Sequence, residues 1–79
     1  MNSYTTKKLG EEGCEVGQAA MKVLLHHDRA ATDDFVGELA DLQALIILAT
    51  PHMSRRERAL FQAGVKARME REQKKGKIG

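Results

Sequence analysis

Four carboxylates stand out by their spacing: Glu12 with Glu15, and Glu38 with Asp41. Residues three apart on a helix face the same way. On a helix turning about 100° per residue, Val16, Ala19 and Val23 fall within about 40° of Glu12, and Glu15 lies about 60° to one side. The neighbouring Glu11 turns instead toward Gln18 and Lys22, the polar side. The second pair repeats the pattern: Leu42, Leu45 and Ala49 fall within about 40° of Glu38, and Asp41 lies about 60° away. Two acids therefore sit beside an apolar stripe on each of two segments.

An amphipathic helix ordinarily keeps its carboxylates opposite the apolar stripe. An ionised carboxylate taken out of water needs a partner, or its pKa rises until it protonates. Among the cations, Lys8 is best placed beside Glu12, and one lysine does not balance four acids. Divalent cations would, and an all-oxygen donor set suits Mg²⁺, with Mn²⁺ as a substitute, better than zinc. Paired inward acids on facing helices are also how bundle metal sites are built. The alternative is that these acids lie at the stripe edge and are solvated.

The elements that must position the acids read as helices throughout. β-branched and aromatic residues are too scattered for strands, and no period-two alternation persists. The periodicity predicts a first helix over about 5–25, ending near His26 and His27, and a connection over 26–31. Thr32 is the expected N-cap of a second helix over 32–49, with Asp33 and Asp34 in its first turn. Pro51 stops that helix. Ser54 and Glu57 form a capping-box pattern that opens a third helix over 54–73. Residues 74–79 read as a basic flexible tail. The expectation is one all-α domain of three helices.

The pattern Glu-x-x-Glu, a spacer, then Glu-x-x-Asp resembles the all-α nucleoside triphosphate pyrophosphohydrolases, which include the MazG proteins, the dimeric dUTPases and phosphoribosyl-ATP pyrophosphohydrolase. Two stretches carry the resemblance. They are Lys8-Leu9-Gly10-Glu11-Glu12-Gly13-Cys14-Glu15-Val16 and Glu38-Leu39-Ala40-Asp41-Leu42, with 22 residues between Glu15 and Glu38. The resemblance covers roughly residues 7–50. It implies Mg²⁺ held by Glu12, Glu15, Glu38 and Asp41, which serve as both metal ligands and catalytic acids. It also implies cleavage of an NTP or dNTP between the α- and β-phosphates, to a nucleoside monophosphate and pyrophosphate. A phosphoribosyl-ATP pyrophosphohydrolase-like activity is the alternative within the family. The family's use of a neighbouring subunit implies a homodimer or homotetramer, with a four-helix-bundle-type active site formed across chains. The departure from the family is length: nothing in this chain corresponds clearly to the segments that hold the base in longer members.

Composition sets the remaining bounds. A domain of 79 residues buries a modest fraction of its surface, so oligomerisation or a non-zinc metal is an expected source of stability. The single cysteine, Cys14, forms no internal disulfide, and no Cys/His cluster has zinc-site spacing. No segment has the length and apolarity of a membrane span, and Met1 to Gly10 lacks the apolar stretch of a signal peptide. The expectation is a cytoplasmic protein with no membrane partner.

Charge is unevenly placed. Residues 1–53 hold four Lys/Arg and eight Asp/Glu, whereas residues 54–79 hold nine Lys/Arg and three Asp/Glu. The basic segment is a solvated helix face, or supplies phosphate contacts through Arg55 and Lys66 alongside Lys8, or binds nucleic acid or another protein. One Tyr and no Trp leave few stacking platforms for bases, which argues against nucleic acid. His26-His27-Asp28 reads as a helix end rather than a metal phosphohydrolase motif. Gly10, Gly13 and Gly17 share one side of the first helix with Ala20, a strip that allows close approach of another helix or simply packs loosely.

Overall fold

The computed structural model describes residues 1–79. The chain is all-helical: α1 (Ser3–His26), α2 (Arg29–Ala49), a short 3₁₀ turn (Thr50–His52) and α3 (Arg55–Lys75). No helix is long and apolar enough to cross a membrane.

Asn2 caps α1, its Oδ1 accepting from the Thr5 N–H at 2.8 Å. The helix ends where His27 takes a left-handed conformation, φ 52° and ψ 32°, and its N–H donates to Val23 O. This turn reverses the chain within two residues. Asp28 then caps α2, accepting from the Ala31 N–H at 2.8 Å.

The second helix therefore begins three residues earlier than the sequence suggested. Thr32 is not its N-cap; the Thr32 hydroxyl donates to Asp28 O at 3.0 Å from inside the helix. Asp33 and Asp34 consequently stand in the second turn. Asp is a stronger N-cap than Thr, and the earlier start also extends the packed seam, since Ala31 is buried.

The inward faces follow a heptad-like spacing. On α1 the less exposed positions are Thr5, Leu9, Glu12, Val16, Ala19 and Val23, with Ala20 at their edge; on α2 they are Ala31, Phe35, Glu38, Leu42, Leu45 and Ala49, with Ile46 at their edge. Only Ala19, Ala31 and Ala49 are buried. The core is thus a single seam between two antiparallel helices, and Glu12 and Glu38 occupy positions within it.

Thr50 and Pro51 form the corner after α2, where the Thr50 hydroxyl donates to Ile46 O at 2.7 Å. The capping box opens α3 as its sequence predicts. Ser54 N–H donates to Glu57 Oε1 at 2.8 Å and Glu57 N–H donates to Ser54 Oγ at 3.1 Å. α3 runs two residues past the expected end, to Lys75. Gly76, at φ 66°, closes it in the left-handed conformation that glycine adopts without strain. Its length packs against neither α1 nor α2. The result is a flat, angular chain of 42 × 34 × 14 Å.

Candidate metal centre

α1 presents Glu12 and Glu15 and α2 presents Glu38 to one point beside the seam. A carboxylate oxygen from each lies within 4.8 Å of the other two. Glu12 and Glu38 are half-buried, Glu15 is exposed, and Glu11, as its angle predicts, is exposed. Asp41 does not join the group. It is one turn further along α2, exposed, and lines two open grooves, one toward each end of the hairpin.

Glu12 Oε1 and Glu38 Oε2 are shielded from solvent and accept no hydrogen bond from any donor. Two ionised carboxylates so placed repel each other and have no hydrogen to share. A proton on Glu12 relieves both problems. Its hydrogen bond to Glu38, then desolvation, then the charges of Glu15 and Glu38, push the Glu12 pKa from its ordinary 4.5 up to about 7. Protonation is one remedy for such a cluster; a cation is the other. The unpartnered, desolvated oxygens and the all-oxygen donor set fit a hard divalent ion.

Toward the turn between α1 and α2 the acids border a groove of about 630 Å³. Glu15, Glu38 and Asp41 line it together with Asp28, Asp33 and Asp34, against Lys22 and His26. Asp34 was not singled out in the sequence as a site residue. Its signal was its place at i, i+4 and i+7 with Glu38 and Asp41, masked by reading Asp33 and Asp34 as first-turn helix charges. Lys22 was legible only as a polar-face residue. His26 and Asp28 are the last residue of α1 and the cap of α2, as a helix-end reading of His26-His27-Asp28 requires.

The other groove, about 610 Å³, lies toward the open end of the hairpin and holds Glu12, Asp41 and Lys8 with Tyr4, Leu45 and His52. Lys8 shares this groove with Glu12, but its ammonium pairs with Glu11 at 3.8 Å and sits 5.7 Å from the Tyr4 ring centre. Arg55 and Lys66 line neither groove. The corner at Pro51 and the Ser54 cap direct α3 away, so within one chain these two cations stand apart from the acids.

Compared with protein-family models, with curated proteins and with solved structures, the chain matches none. The class it defines is an all-α chain whose helical hairpin carries a three-carboxylate cluster at its seam.

Proposed function

We infer that this chain is a Mg²⁺-dependent nucleotide pyrophosphohydrolase that cleaves an NTP or dNTP between its α- and β-phosphates. The observation that supports it most is the cluster of Glu12, Glu15 and Glu38 oxygens within 4.8 Å, two of the clustered acids carrying shielded, unpartnered oxygens. Glu12 and Glu38 would hold the ion from the seam, and Glu15 from the groove edge. A divalent cation bound there supplies charge neutralisation for the triphosphate and lowers the pKa of bound water.

The protein's own residues divide the remaining work. Asp41 stands outside the three-acid group and borders both grooves, so its carboxylate is the acid left free to accept a proton from water. Lys8, in the groove that Glu12 lines, can trade its Glu11 partner for a phosphate oxygen. Arg55 and Lys66 reach a phosphate only if another copy presents them. Two or four copies bringing hairpins together would complete a four-helix-bundle-type site.

The test is pyrophosphate release from a panel of NTPs and dNTPs, and from phosphoribosyl-ATP, with Mg²⁺. Calorimetric Mg²⁺ binding to wild type and Glu38→Ala runs beside it. Turnover with loss of Mg²⁺ binding in the variant is expected. No turnover on any substrate, together with unaltered Mg²⁺ binding by Glu38→Ala, rules the reading out.

A second reading draws on α3, which is basic and packed against neither other helix. As a nucleic-acid-binding or protein-binding module, the chain would bind through α3 with a steep salt dependence, and Glu12→Ala and Glu15→Ala would leave binding unchanged.

A further inference from the structure

The chain exposes too much surface for its mass. Its accessible area is 6558 Å², whereas a compact monomer of 8.8 kDa exposes about 4,800 Å². The excess is roughly 1,800 Å², about twice the ~800 Å² per partner that a stable interface buries. The radius of gyration, 14.7 Å, likewise exceeds the roughly 12 Å of a compact chain of this length.

The uncovered surface is apolar in two places. α2 carries a second apolar strip: opposite the seam, Val36 and Ile47 are 57% and 60% exposed, with Leu39 on the flank at 42%. An apolar strip on the side away from the seam calls for a second layer, and within one chain α2 has none there. The second place is α3, where Phe61, Val65 and Met69 recur every four residues with no other helix packed on them.

We propose that α3 of one copy seats on the outer face of α2 in a second copy, so that two chains exchange their third helices reciprocally. Charge selects this pairing. Residues 1–53 carry net −4 and residues 54–79 net +6, so α3 is drawn to a hairpin and repelled by another α3. The corner selects a second chain over the same one. Ser54 and Glu57 cap α3 reciprocally, and Arg58 donates to Thr50 O and Pro51 O at 3.4 and 3.3 Å. Folding α3 back onto its own hairpin breaks the two Arg58 bonds that tie its first turn to the corner, whereas a partner's hairpin meets it as it stands. An isologous pair of this kind closes on itself and leaves no α3 free. The proposal rests on the oligomer expected under the functional reading but not on its chemistry. An inactive dimer leaves it standing, and an active monomer overturns it while leaving the reaction intact.

The test uses full-length chains in light scattering coupled to size exclusion, with Val36→Glu on the seat and Val65→Glu on α3. Both positions are well exposed within one chain, so neither change removes an intrachain contact. Wild type is expected at twice the chain mass or a multiple of it, and each variant alone at the chain mass. Mixing the two variants pairs an intact α3 from one with an intact seat from the other, so the doubled mass returns. A wild-type monomer across micromolar concentrations overturns the proposal. So does a Val36→Glu chain that stays dimeric while Val65→Glu does not, because α3 then pairs with α3. Failure of the mixture to regain mass overturns it as well.

Discussion

Glu12 and Glu38 meet across the α1–α2 seam, each with one carboxylate oxygen shielded from water and bonded to no donor. They take up core positions that their neighbours fill with Leu, Val, Phe and Ala. Like charges at such positions oppose the packing of the hairpin that holds them, and this makes the pair readable in stability measurements.

The Glu12 pKa is raised from 4.5 to about 7 in the folded chain. The folded state therefore binds this proton more tightly than the unfolded state does. The resulting stabilisation is complete below pH 4.5 and is lost as pH rises through about 7. In EDTA, the midpoint of thermal unfolding should fall over this window, and Glu12→Gln should flatten the profile and melt higher than wild type at pH 8. A wild-type profile flat across the window contradicts the geometry.

Divalent cations should act in the opposite direction. An ion binding only the folded chain at about 100 times its Kd adds ~2.7 kcal/mol, a rise of roughly 10–20 °C in Tm for a domain this small. Titrating Mg²⁺ or Mn²⁺ at pH 8 should give that rise for wild type and abolish it in Glu38→Ala. Asp41→Asn should retain most of it, because Asp41 lies outside the three-acid group.

The two candidate caps of α2 separate cleanly by mutation. Asp28→Ala removes the oxygen that accepts from the Ala31 N–H and should cost about 1 kcal/mol. Thr32→Ala removes only a hydroxyl bonded to Asp28 O within the helix and should cost less. Urea unfolding of both variants measures the difference, and equal losses would return the helix start to Thr32.

His27 holds a left-handed conformation at φ 52°, which a side chain disfavours and glycine tolerates. His27→Gly should stabilise the hairpin by up to ~1 kcal/mol. A destabilised variant would mean that the imidazole makes a contact worth more than the backbone strain.

At the start of α3, the Ser54 N–H, followed by the charge of the amino terminus, holds the Glu57 carboxyl below its ordinary range. The folded pKa is depressed, so this contribution is present above the ordinary value and lost as pH falls through the folded one. Glu57→Ala, which removes the carboxylate that accepts from the Ser54 N–H, should cost α3 helicity at neutral pH and less in acid, whereas Ser54→Ala, which removes only the Oγ that accepts from the Glu57 N–H, should cost about 1 kcal/mol across the range.

Much of this was legible in the residues alone. Helix periodicity placed Glu12 inward and Glu11 outward, Pro51 ended α2, and Ser54 with Glu57 opened α3, because each is decided by neighbours within a turn or two of chain. Where two local signals competed, the reading slipped. Thr32 and Asp28 are both capping residues, and the choice went to Asp28 in a structure where Ala31 packs into the seam. Lys8 has acids at positions 11 and 12, and its ammonium lies with Glu11, on the more exposed side.

The sequence by itself determined that the chain is helical and that Glu12 and Glu38 lie in the apolar stripes, with Glu15 and Asp41 at their exposed edges, since a helix's phase depends on local spacing. Tertiary structure decided which acids meet. Small residues at Ala19, Ala31 and Ala49 let the helices close on one another, and interaxial distance follows the side chains at the contact. That approach gathers Glu12, Glu15 and Glu38 and leaves Asp41 one turn away. The direction of α3, which keeps Arg55 and Lys66 from the acids of their own chain, was likewise decided by a corner whose bonds span residues 50–58.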